Sequence, residues 1–141
     1  MMKKIIGRTD LIDFPELDLW NIGAKIDSGA YTSAIHCSEI IEEHDALKCT
    51  FSSKKHPNFN SKNIVFKTFS RTVVKSSNGQ KEQRYKIKTK TVLFGKTYTI
   101  YLTLTTRDNM KYPVLIGRQF LSKKFLIDVD AVNESYKNKL K

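Results

Sequence analysis

Cysteine is scarce in this chain: Cys37 and Cys49 are the only two among 141 residues. With no secretory leader beside them, they read as reduced thiols rather than as a disulfide. Long apolar runs are missing too. None reaches the roughly 18 residues that a membrane-crossing helix needs. The start, Met1-Met2-Lys3-Lys4-Ile5-Ile6-Gly7-Arg8, is basic, but its apolar stretch is too short for a signal peptide. The expectation is a cytoplasmic protein with no membrane association. At 40% hydrophobic content it makes a single domain, residues 1–141, with a modest core.

Arginine is also sparse. Of 25 basic residues only Arg8, Arg71, Arg84, Arg107 and Arg118 are arginine, although the net charge is +11. Lysine lacks the planar fork that reads phosphate or guanine bidentately. The lysines are scattered along the sequence apart from pairs such as Lys54-Lys55 and Lys123-Lys124, and no zinc-finger or helix-turn-helix spacing accompanies them. A solvated basic surface that favours acidic partners is expected, and nucleic acid is not.

What is present is strand pattern. Thr97 to Leu104 alternates cleanly, Tyr85 to Lys90 alternates before it, and Gly95-Lys96 joins them as a hairpin. Ile64 to Phe69, Thr72 to Lys75 and Phe125 to Val129 read as further strands, with Leu47 to Phe51 a weaker one. Ser38 to His44 is either strand or helical turn. Ser52 to Lys62, with Pro57, reads as a long loop, and Arg118 to Ser122 as the one short helix. The polar tail from Asn133 to Lys141 is expected to be frayed or lightly packed. The fold class is all-β, a small barrel or sandwich.

The chemistry centres on Asp27-Ser28-Gly29-Ala30, which follows the alternating run Ile22 to Ile26. A carboxylate at a strand end can activate water, a hydroxyl can brace the loop, and glycine lets backbone pass closely. Such a tetrapeptide is also ordinary turn chemistry. The apolar strand Val114-Leu115-Ile116-Gly117-Arg118, far downstream, raises the reading above a turn.

The run from Ala24 to His36 is the first of four blocks in a recognisable order. The others are Ser76-Ser77-Asn78-Gly79 with Glu82, Arg84 and Tyr85; Leu102 to Thr105 with Arg107 to Met110; and Pro113 to Arg118. Over Gly23 to Val129 the chain resembles the retropepsin-like aspartic peptidase family commonly labelled "ATP-dependent zinc protease". The resemblance implies a retropepsin-like β-barrel with Asp27, Ser28 and Gly29 as the catalytic loop. Gly117 would let the apolar strand pass beneath that loop, with Arg118 and a buried, hydrogen-bonded His36 as support. Arg71 to Lys90 would be a flap hairpin with its tip at Ser76 to Gln80. Ala30, Ser76, Ser77, Gly79, Glu82 and Arg84 would then face substrate. For Glu82 and Arg84, two apart on one strand face, a surface ion pair is the competing reading. The stretch Glu39 to Phe69 is additional to a compact viral retropepsin.

Aspartic-peptidase chemistry needs two carboxylates sharing a proton. Only one Asp-Ser/Thr-Gly occurs in this sequence, so a homodimer is expected, acting on a peptide or protein substrate. The resemblance also implies association with ATP-grasp ligases that add glutamate, hence an acidic substrate. The rival reading is a non-catalytic peptide-binding or accessory module beside such a ligase. No cofactor is expected. His-Glu-x-x-His is missing, Gly95-Lys96 lacks a phosphate-cradling loop, and adjacent His36 and Cys37 would face opposite sides of a strand.

Overall fold

The computed structural model describes residues 2–75, 78–107 and 110–141. Twelve strands are described: β1 (Lys4–Ile6), β2 (Thr9–Phe14), β3 (Leu19–Asp27), β4 (Ser33–His36), β5 (Glu39–Glu43), β6 (Ala46–Thr50), β7 (Asn63–Phe66), β8 (Ser70–Lys75), β9 (Lys81–Leu93), β10 (Lys96–Thr105), β11 (Val114–Gly117) and β12 (Phe125–Ile127). Among the described residues helix is confined to α1 (Arg118–Leu121), α2 (Glu134–Lys139) and a 3-10 turn at Pro15–Leu17.

Six strands close into a mixed barrel in the order β10-β4-β11-β3-β2-β9, with β9 returning to β10. The longest pairing is the β9–β10 hairpin, where burial alternates from Thr99 to Leu102 before both faces of β10 become covered. Ile87, Ile100, Leu102 and Leu104 point inward while Lys88, Thr99 and Tyr101 face out. Phe94 and Gly95 both take positive φ at its tip, the two-residue geometry whose twist matches that of antiparallel strands. Phe94 is held there by donating its N–H to Ser135 Oγ at 2.9 Å and by its ring packing on Phe125. Ile12, Phe14, Leu19, Ile22, Ile35, Val114 and Ile116 fill the barrel with them, all about fully buried.

The segment from Glu39 to Phe69 forms a three-stranded sheet, β5-β6-β7, resolving Ser38 to His44 as strand rather than helical turn. The predicted strand to Phe69 ends at Phe66. Ser52 to Lys62 is irregular, as expected, but firmly seated. Phe59 is buried, and Asn58 and Asn60 donate to the carbonyls of Asn21, Leu17 and Asp18.

The tail departs from expectation. Instead of fraying, it forms α2 and docks on β2. Asp10, 1% exposed, accepts the N–H groups of Leu11 (2.8 Å), Ser135 (2.9 Å) and Tyr136 (3.2 Å). Lys139 reaches Asp13 at 2.8 Å and Asn21 at 2.7 Å. The carboxylate that caps this helix lies more than a hundred residues upstream, so local composition could not reveal it. Burial pushes the Asp10 carboxyl above its ordinary value, offset in part by the backbone donors.

Replacing Asp10 by Ala leaves three backbone donors without their acceptor, a loss of about 1–3 kcal/mol. Urea unfolding should show it, together with faster tryptic cleavage after Lys137 and Lys139. An unchanged midpoint and cleavage rate would count against the docked tail.

Candidate active site

The Asp27 loop is built by two strands far apart in sequence. β3 and β11 run parallel, with Gly117 in register with Asp27. A Cβ on Gly117 would lie 2.6 Å from the Thr32 carbonyl oxygen and 2.8 Å from that of Ala30. Only a residue without a side chain lets the loop cross there. Immediately afterwards α1 begins, and its first amides serve the loop: Arg118 N–H donates to Ala30 O at 2.8 Å and Gln119 N–H to Tyr31 O at 3.0 Å. Gly117 N–H donates to the buried Ser33 hydroxyl at 3.0 Å.

Arg118 contributes more than its amide. Its guanidinium donates to the carbonyls of Ser28 and Gly29, each at 3.2 Å, and lies over the Tyr31 ring. Within the loop, Gly29 N–H donates to Asp27 Oδ1 at 2.9 Å and Ala30 N–H to Asp27 O at 3.2 Å. One carboxylate oxygen is thus fixed, while Asp27 remains only half-buried and Ser28 and Gly29 are exposed. A single chain presents this carboxylate at its surface, oriented but not enclosed.

The second group of predicted residues gathers elsewhere. β8 and β9 form the expected hairpin, with Lys75 opposite Lys81. Gly79 is exposed with φ +87°, whereas Ser76 and Ser77 lie outside the described residues. Glu82 and Arg84 make the surface ion pair, at 3.1 Å, and Arg107 joins Glu82 at 3.4 Å. His36, buried at the end of β4, donates from Nδ1 to the Arg107 carbonyl at 2.8 Å and stacks on Phe59. Its ring ties β4 to the segment after β10 and to the 51–62 loop.

Sequence reasoning gave no role to Ser33, Arg107 or the Glu42 cluster. Glu42 on β5 pairs with Arg71 on β8 and accepts from Tyr85 on β9 at 2.8 Å. The Arg71 guanidinium and then the Tyr85 hydroxyl hold its carboxyl below the usual range. The added sheet is thereby fastened to the base of the hairpin. Ser33 and Arg107 sat inside recognised blocks, but their roles depend on contacts across the barrel.

The fit to metal or thiol chemistry is poor. Among the described residues no three His, Cys, Asp or Glu side chains converge to hold an ion. The His36 ring is committed to Arg107 and Phe59. Both cysteines are free and buried; burial pushes the Cys49 thiol up to about 12 and Cys37 higher still.

A closed mixed barrel carrying one Asp-Ser-Gly loop, braced by a Gly-Arg turn, is the architecture of the retropepsin-like fold. The chain belongs to the RimB-like family, whose model, described as the retropepsin-like aspartic endopeptidase RimB, matches residues 5–137. It is 40% identical over 130 residues to a probable alpha-L-glutamate ligase of Shewanella pealeana, covering 89% of this chain and 28% of that protein. Similarly named proteins of Desulfotalea psychrophila and Parasynechococcus marenigrum are 35% and 32% identical, over 89% and 94% of this chain but 28% and 29% of theirs. The chain therefore spans under a third of these relatives. The crystal structure of Lpg0085, a Legionella pneumophila protein of unknown function, superposes with a TM-score of 0.70 at 21% identity, covering 95% of this chain and 99% of that one. That likeness bears on the fold.

Substituting Gly117 by Ala should destabilise the protein by about 1–3 kcal/mol, the cost of forcing a methyl group into closed packing. Thermal unfolding reads this, and an undisturbed melting temperature would disprove the close crossing. Neither thiol should react with Ellman's reagent at pH 8 until the protein unfolds, since burial keeps both protonated. Stoichiometric labelling of the native state would contradict that.

Proposed function

We propose that the protein is a homodimeric aspartic peptidase or amidase in which Asp27 from each of two copies forms the catalytic pair. The observation that carries this reading is the oriented, half-buried Asp27 in a chain holding only one such loop. Bringing two carboxylates together raises one of their pKa values, and the pair holds a single proton. The ionised Asp27 takes a proton from water as the oxygen attacks the amide carbon. The protonated Asp27 of the second copy donates to the carbonyl oxygen. Collapse of the tetrahedral intermediate releases an amine and an acid. Arg118, Ser33 and Gly117 hold the loop in place for this step without touching the reacting atoms. The β8–β9 hairpin serves as the flap over substrate, with Ala30, Gly79, Glu82 and Arg84 facing it.

The substrate class in this reading is an acidic, glutamate-rich peptide or isopeptide, and the work is done in the cytoplasm beside an ATP-grasp ligase. Support comes from the relatives named as glutamate ligases, in which a stretch resembling this chain is one part of a longer protein. The net charge of +11 favours the approach of such a substrate.

Stoichiometry tests the mechanism. Hydrolysis per subunit should fall on dilution into the monomer range, and excess Asp27→Asn chains should poison wild type by forming half-competent dimers. Hydrolysis that stays proportional to wild-type protein through both treatments would remove the paired-carboxylate mechanism. The pH profile should be bell-shaped, because only the singly protonated pair works.

A further inference from the structure

Lysines scattered along the sequence are not scattered in space. The pleat of β9 puts Lys86, Lys88 and Lys90 on one outward face, about 7 Å apart in turn. Ile87, Thr89 and Thr91 point inward between them. Across the hairpin, Lys88 lies opposite Tyr101 and Lys90 opposite Thr99. Tyr101 is 49% exposed, with the Lys86 ammonium over its ring. Beside it opens a cavity of about 210 Å³ lined by Ser33, Thr99, Tyr101, Gln119, Phe120 and Lys124. The ion pairs among the described residues involve none of these four lysines. Among the described residues no acidic side chain lines the cavity.

From these features we infer that the outer face of β9 and β10 binds single-stranded nucleic acid. Its phosphates lie along Lys86, Lys88 and Lys90, and one base seats in the cavity against Tyr101. Three independent features fit that ligand together. A row of cations that form no ion pair among the described residues tracks a phosphate backbone. An exposed aromatic ring in the same face offers a stacking platform, which every base can use. The adjoining cavity presents the Gln119 amide and the Thr99 hydroxyl, which accepts from the Lys90 ammonium at 2.6 Å, to a base edge. An acidic peptide would be drawn to the lysines but has no ring to stack on Tyr101. This inference goes beyond the peptidase reading and does not rest on it.

The test uses the intact chain and a fluorescein-labelled single-stranded RNA of mixed sequence, with anisotropy measured across a salt series. Neutralising three phosphates on a single strand gives a log–log salt slope of about −2, from about −0.7 per contact. Lys88→Gln with Lys90→Gln should flatten the slope to about −0.7, the value for the one remaining contact. Tyr101→Leu should weaken binding by about fivefold to a hundredfold and leave the slope unchanged, which loss of charge alone cannot do. All three lysines and Tyr101 reach solvent, so the variants should fold, and circular dichroism checks that they do. The inference is overturned if RNA fails to bind at low salt. It is equally overturned if an oligoglutamate of matched charge competes as well as RNA and Tyr101→Leu changes nothing, since the face would then be an acidic-peptide surface.

Discussion

The close passage of β11 against the Asp27 loop is the constraint on which the rest of the structure depends. Gly117 brings an apolar strand and the loop backbone within a distance that excludes any side chain, and α1 starts at that point. Because α1 starts there, its first amides face the carbonyls of Ala30 and Tyr31, and the Arg118 guanidinium can reach those of Ser28 and Gly29. Backbone carbonyls at an exposed loop are ordinarily left to water. Here four of them are taken by one short turn, so the carboxylate at the strand end inherits a fixed position from groups that never contact it. Ser33 completes the arrangement from the other side by accepting the Gly117 amide.

Much of this was legible from the amino-acid sequence, for a physical reason. Alternation along Thr97 to Leu104 reports a sheet with one dry face, and the Asp-Ser-Gly and Leu-Ile-Gly-Arg segments report backbone that must pass backbone. Both signals are local. The contacts that escaped were between elements distant in the chain. Asp10 reads as one more strand residue until it is seen under α2, and the Asn133 to Lys141 tail looks too polar to pack. Glu42, Arg71 and Tyr85 come from three strands. Lys86, Lys88 and Lys90 alternate visibly, but that no carboxylate among the described residues pairs with them depends on which strands lie beside β9.

The segment between the Asp27 loop and the hairpin is more than an enlarged loop. β5, β6 and β7 bury Leu47 and Cys49 and carry Phe51 and Phe59 into the core. Phe59 then stacks on His36, and Glu42 reaches the hairpin. Additional sequence has become a buttress on two sides, against the strand that leaves the Asp27 loop and against the base of the β8–β9 pair.

β9 deserves one last consideration as a mechanical part. Its first half pairs with β8 in the hairpin and its second half with β10 in the barrel wall, and Lys86 belongs to both ladders, opposite Ser70 and Thr103. No loop separates the two halves. A displacement of the hairpin cannot swing freely about a joint; it must bend or twist a continuous ribbon whose far end is clamped in the barrel. The hairpin therefore behaves as a cantilever, with a restoring force set by the β9–β10 ladder, and any load at its tip is felt as strain in the wall of the core.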